Sequence, residues 1–318
     1  MKIICTGSVA FDYLMTFPGY FKDHLIPEAL EKVSLSFLVD KMTKQRGGCA
    51  PNIAYTLALL GETPLVMATV GKDFEDYRRW LEVQGVDTQY IKVIEDDYTA
   101  SFFANTDQSN AQIASFYTGA MAYSKDLSLK NIVKENPDLV LISPNDPIAM
   151  NKYVREAKEL GISYLYDPSQ QLARSESMEI AEGVMGAHSL FVNDYEIELL
   201  IKHTGFTEAQ IKDHVKILVV TRGAEGSTIY ADGKQYDIPV VLPKKIMDPT
   251  GVGDAYRGGF LVGYSKGFDL QTCGQMGSLS AIYCIEQKGT QNHFYTPEDF
   301  VARYREHFSD DGLLDKLL

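Results

Sequence analysis

The sequence predicts an α/β fold: a mostly parallel sheet with helices on both faces, carrying a small β extension over one edge. Three observations lead there. From residue 138 onward, short apolar runs (139–143, 162–166, 189–192, 217–221) alternate with helical stretches such as 148–160 and 195–203. Repeated strand–helix units of this kind feed a parallel sheet covered on both sides. Most polar signals fall at the ends of the apolar runs, namely Ser8 and Asp12, Asp167, Asn193, and Thr221-Arg222-Gly223. Ligands of open parallel sheets bind at those ends. Residues 13–41 and 98–118 break the alternation with β-patterned sequence. On this reading the two insertions pair into a separate sheet that serves as a lid.

Taken in order, residues 3–9 read as a buried strand, with Gly7-Ser8 at its carboxyl end and Asp12 close behind. Val33, Leu35, Phe37 and Val39 alternate with Ser34, Ser36 and Asp40, broken only by Leu38, which is the period of a half-buried strand. Arg46-Gly47-Gly48-Cys49-Ala50-Pro51-Asn52 leads into a helix over 53–60 that stops at Gly61, and Pro51 suits a first helical turn. Residues 64–70 form the next buried strand, and Gly71-Lys72-Asp73 opens another helix. Runs 99–105 and 112–117 make a hairpin around Asp107-Gln108-Ser109-Asn110. Glu225-Gly226-Ser227 and Asp232-Gly233-Lys234 mark turns in an antiparallel extension, and 269–287 and 296–307 are helical. The resulting division assigns 1–12, 42–97 and 119–318 to the α/β domain and 13–41 and 98–118 to the lid. No internal repeat or low-complexity linker interrupts it.

Composition narrows the function. A chain of 318 residues, 45% hydrophobic, holds one large domain with an accessory part, or two domains. A formal net charge of −13 without a long basic run argues against nucleic acid and anionic membranes as partners. Cys5, Cys49, Cys273 and Cys284 form no C-x-x-C pair and have no histidine cluster beside them, which argues against structural zinc and fits a reducing compartment. The first residues run straight into a strand pattern with no signal peptide, and no apolar run is long enough to span a bilayer. A cytoplasmic protein, monomeric or homodimeric, is expected.

The chemistry concentrates in Asp248-Pro249-Thr250-Gly251-Val252-Gly253-Asp254-Ala255-Tyr256-Arg257-Gly258-Gly259-Phe260, a glycine turn that opens directly into a helix. Gly251 and Gly253 let another group approach the backbone, and the first amides of a helix form a natural anion site. The run is neither a P-loop, which needs Gly-Lys-Ser/Thr, nor a dinucleotide fingerprint, which would need glycine where Tyr256 stands. An aspartate at the lip of an anion hole suits phosphoryl transfer, with Asp254 taking a proton from a substrate hydroxyl. The plainer alternative is a capped helix start.

Other constellations carry the same double reading. Asn193-Asp194-Tyr195-Glu196 is either a capping box or a carboxylate acting on Mg²⁺, directly or through water. Thr221-Arg222-Gly223-Ala224-Glu225-Gly226 is either a nucleotide-binding turn or a tight connection. Gly47-Gly48 with Asn52 is either a helix entry or a place where the backbone approaches a polyhydroxyl substrate, with Asn52 and Asp12 as hydrogen-bond partners.

Asp12, Gly47-Gly48 with Asn52, Asn193 with Glu196, Thr221-x-Gly223 and Gly251-Val252-Gly253-Asp254 stand in an order and spacing that resembles the ribokinase (phosphofructokinase-B) family of ATP-dependent sugar and nucleoside kinases. The resemblance covers essentially the whole chain. It implies a ribokinase-like three-layer α/β/α sandwich with a small β-sheet lid, and Mg-ATP phosphorylation of a primary hydroxyl. By resemblance, Asp254 is the general base, and the amides of Gly251, Val252 and Gly253 form the anion hole. Ser8, Asp12, Gly47, Gly48, Asn52 and Phe116 lie with the substrate. Asn193, Thr221, Gly223 and Gly226 lie with the nucleotide, as do Gly251 and Gly253, and Glu196 reaches Mg²⁺ through water. Asp248 and Thr250 are candidates for a monovalent cation such as K⁺.

Within the family, the segments 112–121, 193–196, 248–257 and Gly289-Thr290-Gln291-Asn292-His293 look most like bacterial adenosine kinase-like members. Such enzymes phosphorylate the 5′-hydroxyl of a nucleoside. Val252 replaces the commoner alanine, and Pro249-Thr250 departs from the usual pair, but neither change removes a backbone donor. The leading expectation is therefore an adenosine kinase. Its rivals are a kinase for a free sugar such as ribose or fructose, and a non-catalytic nucleotide or nucleoside sensor. Aromatics of 98–118 with Phe37 and Leu38 would supply an apolar slot for a base, whereas a sensor would gain nothing from Asp254.

Overall fold

Runs rich in Val, Ile and Leu form the spine of the molecule. In the computed structural model, which describes residues 1–25, 31–32 and 34–318, the strands in chain order are β1 (Ile3–Thr6), β2 (Ala10–Thr16), β3 (Lys41–Gly47), β4 (Leu65–Gly71), β5 (Asp87–Ile94), β6 (Ala100–Thr106), β7 (Gln112–Tyr117), β8 (Leu139–Ile142), β9 (Ser163–Tyr166), β10 (Ser189–Asn193), β11 (Ile217–Thr221), β12 (Ser227–Ala231) and β13 (Lys234–Ile238). The helices are α1 (Cys49–Leu59), α2 (Glu75–Val83), α3 (Pro147–Leu160), α4 (Ser177–Val184), α5 (Asp194–Thr204), α6 (Glu208–His214), α7 (Val252–Ser265), α8 (Leu270–Ile285) and α9 (Pro297–His307).

The larger sheet has the order β13-β12-β11-β10-β9-β8-β1-β4-β5. It is parallel from β5 to β11, and β12 and β13 add an antiparallel edge. Successive strand residues point to opposite faces, so the sheet feeds two cores. Ile3, Cys5, Leu139 and Leu141 pack on one side with Ile53 of α1, Phe260 of α7, Leu279 of α8 and Phe300 of α9. Ile4, Val140, Ile142 and Leu218 pack on the other with Tyr153 of α3, Ile180 of α4, Leu200 of α5 and Ile211 of α6. The result is a three-layer α/β/α sandwich. Helix α7 lies in the middle of the first layer, against α1 and α8. A side chain at Gly258 or Gly259 would run into Thr56 or Ser280, so these glycines set how closely the three helices meet.

The smaller sheet has the order β3-β2-β6-β7, with β2 antiparallel to β3, parallel to β6, and β6–β7 as the expected hairpin. Its other half differs from the reading of the sequence. Val33 lies outside the described residues, and 34–39 form no strand. Phe37 leaves the alternation to pack edge-on against Phe17 and Phe21, with ring centroids 5.0 and 4.9 Å apart, and Leu38 is 84% exposed. The strands that complete the sheet are β2 and β3, so it begins before residue 13 and extends past residue 41. Asp12 stands within a strand of this sheet, whereas the division by sequence placed it in the α/β domain.

Candidate active site

The loop before α7 closes as a tight turn. The Val252 N–H donates to the Pro249 carbonyl at 3.4 Å, and Gly251 between them has φ 77° and ψ 0°, the geometry that favours glycine at the third position of a type II turn. A side chain there would also meet Thr290 Cγ2 at 2.8 Å. Asp248 staples the loop: Oδ1 accepts from the Thr250 amide at 2.9 Å and Oδ2 from the Gly289 amide at 3.0 Å. The turn alters one expectation. Because Val252 already faces Pro249, the amides at this helix start that have no partner among the described residues are those of Gly251, Gly253 and Asp254. They stand at the positive end of α7 and can receive an anion.

Asp254 is partly buried among these donors. Its Oδ2 accepts from Asn52 Nδ2 at 2.9 Å. Burial pushes its carboxyl above the usual range, while the Arg257 guanidinium and the Asn52 hydrogen bond oppose that rise. Arg257, one turn along α7, is 8% exposed and donates to Asp167 Oδ1 at 2.6 Å. Its Nη1 lies directly under Gly253, where an added Cβ would meet it at 2.8 Å. Burial pushes Asp167 up to about 7 against the pull of Arg257, with Glu196 and Asp254 adding to the rise. A buried guanidinium thus backs the anion site, and three carboxylates share it.

The entrance to α1 completes the acceptor side. Gly48, the residue before α1, has φ 98°, and a Cβ there would lie 2.5 Å from the Ser8 carbonyl. Ser8 Oγ accepts from the Cys49 amide at 3.2 Å. The Asp12 carboxylate packs directly over Gly47, where an added Cβ would meet its Oδ2 at 2.7 Å. Burial, then the neighbouring Asp248, push Asp12 up to about 6. Across the small sheet Gln45, Asp12, Phe102 and Phe116 stand in one row, so their side chains share a face. Gln45 fixes the direction of that face, because its Oε1 lies over Gly289, beside the Asp248 staple. Phe116 is 42% exposed there, two strands or roughly 10 Å from Asp12.

The remaining candidates line the carboxyl ends of neighbouring strands. Asn193 and Glu196 form a complete capping box: the Glu196 amide donates to Asn193 Oδ1 at 2.7 Å, and Glu196 Oε2 accepts from the Asn193 amide at 2.8 Å. Glu196 Oε1 accepts from Ser169 Oγ at 3.2 Å, and its charge reaches Asp167 and Arg257. Thr221 stands opposite Asn193 in the β10–β11 register. Gly223 has φ 53° with open space around it, whereas a Cβ at Gly226 would lie 2.1 Å from the Ile238 carbonyl. Gly226 therefore has a packing role in the β11–β12 connection, against the end of β13. Among the described residues, no group of three or more His, Cys, Asp or Glu side chains is gathered to hold a metal ion. A divalent cation here would lean on phosphate oxygens and water, as Mg²⁺ ordinarily does.

The structure thus brings Ser8, Asp12, Gly47, Gly48, Asn52, Asp248, Gly251 and Asp254 together. The Arg257–Asp167 pair joins them to Glu196, Asn193 and Thr221. The reading of the sequence left the parts played by Arg257, Gln291 and Tyr77 unassigned. Arg257 was detectable in principle, since it follows Asp254 by one helical turn and a buried arginine needs a partner.

Residues 6–297 match the pfkB family carbohydrate kinases. Over 308 residues the chain is 32% identical to the nucleoside kinase of Methanocaldococcus jannaschii, spanning 96% of this chain and 97% of that one. The structure of the Burkholderia thailandensis nucleoside kinase in complex with inosine is similar with a TM-score of 0.87 at 34% identity, covering 97% of this chain and 99% of that one. The same nucleoside kinase in complex with ADP-inosine has a TM-score of 0.84 at 35% identity, covering 97% and 96%.

Proposed function

The chain belongs to the pfkB family of carbohydrate kinases, phosphotransferases with a hydroxyl acceptor, and from that premise we propose that it transfers the γ-phosphoryl group of ATP to the 5′-hydroxyl of a nucleoside, adenosine first among them. The observation that carries this reading is the position of Asp254, a partly buried carboxylate at the positive end of α7, beside amides that have no partner among the described residues.

Each part of the chemistry then has a residue. Asp254 takes the proton of the acceptor hydroxyl, and burial gives it the basicity to do so. The amides at the start of α7 receive negative charge on the phosphoryl oxygens, with the Arg257 guanidinium beneath them. Asp12 accepts hydrogen bonds from ribose hydroxyls, on the same sheet face as Phe102 and Phe116, which offer apolar area to the base. ATP supplies the phosphoryl group, and the ends of β10 and β11 with Asn193, Thr221 and Gly223 receive the nucleotide. Glu196, kept in its capping box, would help hold Mg²⁺, which would neutralise charge on the phosphates. The small sheet closes over the acceptor and keeps water from it.

The inosine complex of the Burkholderia relative supports a purine nucleoside as acceptor. The test is turnover of the purified protein with ATP against adenosine, inosine, cytidine, ribose and fructose. A purine nucleoside preferred over every free sugar supports the reading. A free sugar used as well or better overturns it.

A further inference from the structure

Asn52 is an amide, and it presents a different face to Asp254 depending on which way round it sits. With Nδ2 outward it donates to the carboxylate; with Oδ1 outward it sets a lone pair against it. The neighbours of Asn52 decide between the two. Gln291, 2% exposed, donates through Nε2 to Asn52 Oδ1 at 2.8 Å and also to the Tyr77 hydroxyl. Tyr77, 1% exposed, donates its own O–H to the Gly47 carbonyl at 3.0 Å. On its other side Gln291 Oε1 accepts from the Trp80 indole Nε1–H at 3.3 Å.

An indole N–H is a donor and nothing else. It therefore orients Gln291, which orients Asn52, and each partner in the chain has one arrangement that leaves no donor facing a donor. The ring that begins the chain is itself held, with the Arg46 guanidinium over it at 4.2 Å and Tyr55 stacked on it at 6.2 Å. We infer that Gln291, directed by Trp80, is a positioning residue that turns the Asn52 amide so that its N–H faces Asp254. This rests on the proposed role of Asp254 as base.

The direction of the effect follows from charge. A donor bond favours the ionised carboxylate, and only that form takes a proton. Losing the bond raises the pKa of Asp254 and moves the acid limb of the rate profile to higher pH. The other titratable or charged groups near Asp254 are Arg257 on its own helix, Asp167 after β9, Cys49 on α1, Tyr77 on α2 and Cys284 on α8. Burial holds the thiols and the phenol neutral through the range tested.

The test is a cycle of four proteins, wild type, Gln291→Met, Asp254→Asn and the double variant, followed by single-turnover transfer from radiolabelled ATP to adenosine between pH 5 and 9. Methionine keeps the volume and removes both ends of the amide without adding charge. Gln291→Met should slow transfer about tenfold or more, raise the acid limb by about one unit, and leave the adenosine KM within about twofold. In the Asp254→Asn background it should cost less than about twofold, because residues acting through one another are not additive. The same loss in both backgrounds, or an unshifted acid limb, overturns the inference. Trp80→Phe, which keeps an aromatic ring but removes the donor with the five-membered half of the indole, should move the acid limb in the same direction by a smaller amount, and an unmoved limb there also counts against it. Wild-type turnover in Asp254→Asn alone would overturn the base assignment and the inference together, an outcome distinct from the three preceding ones.

Discussion

Asp254 sits between opposing influences, burial that makes it basic and the Arg257 charge and Asn52 hydrogen bond that favour its ionised form. Asp254→Asn keeps the shape and removes the proposed base, so kcat should fall by about two orders of magnitude or more with little change in KM; steady-state kinetics with adenosine checks this. Asp12 is strained in a different sense. Its folded-state pKa of about 6 lies above the unfolded value. The folded state therefore binds the proton more tightly, and the stability this contributes is lost as pH rises through about 6. Asp12→Asn should accordingly raise the Tm of the ligand-free protein by about 2–4 °C at pH 8 and change it little at pH 4.5. The same variant should weaken nucleoside binding by about 1.5–3 kcal/mol, the scale of a charged hydrogen bond. Calorimetry at the two pH values and nucleoside titration separate the two effects. A uniform Tm change at both pH values would show that Asp12 is not held charged against its environment.

At the scale of elements, the start of α5 allows its two readings to be separated. Glutamine completes a capping box as well as glutamate does, so Glu196→Gln should leave Tm unchanged. If the carboxylate also serves Mg²⁺, the same variant should raise the Mg²⁺ concentration for half-maximal rate several-fold, whereas an unchanged requirement would leave only the cap. At the start of α7, Gly251→Ala forces φ 77° on a residue with a side chain and presses it onto Thr290. The expected cost is about 1–3 kcal/mol in chemical denaturation, with loss of turnover. These helix starts were legible in the sequence because cap and turn chemistry is local. The buried parallel strands were legible because β8 and β11 are unbroken apolar runs. Strands β2 and β3 were not. Lys41, Thr43, Lys44 and Gln45 carry little apolar signal, and the ladder that orders them joins distant segments. Asn52–Gln291 and Asp167–Arg257 escaped for the same reason, their partners standing 239 and 90 residues apart.

At the scale of the molecule, one edge of a three-layer sandwich gathers the carboxyl ends of its strands, and a four-stranded sheet stands beside that edge with Asp12, Phe102 and Phe116 on the face that carries Gln45 over Gly289. On the proposed function a nucleoside would span that face, ribose at Asp12 and base toward Phe116, whereas a free sugar would reach only the first part. Contacts to the base cover apolar area worth several kcal/mol at about 25 cal/mol per Å², and binding remote from the reacting hydroxyl can appear in the rate of transfer. Phe116→Ala should therefore reduce kcat/KM for adenosine about tenfold or more while leaving any activity on ribose unchanged, which parallel assays of the variant would show. The most direct measurement is kcat/KM for adenosine and for ribose on the same preparation of the wild-type protein, with ATP and Mg²⁺ saturating. The nucleoside reading predicts that adenosine exceeds ribose by about two orders of magnitude or more; equal or better use of ribose would contradict it.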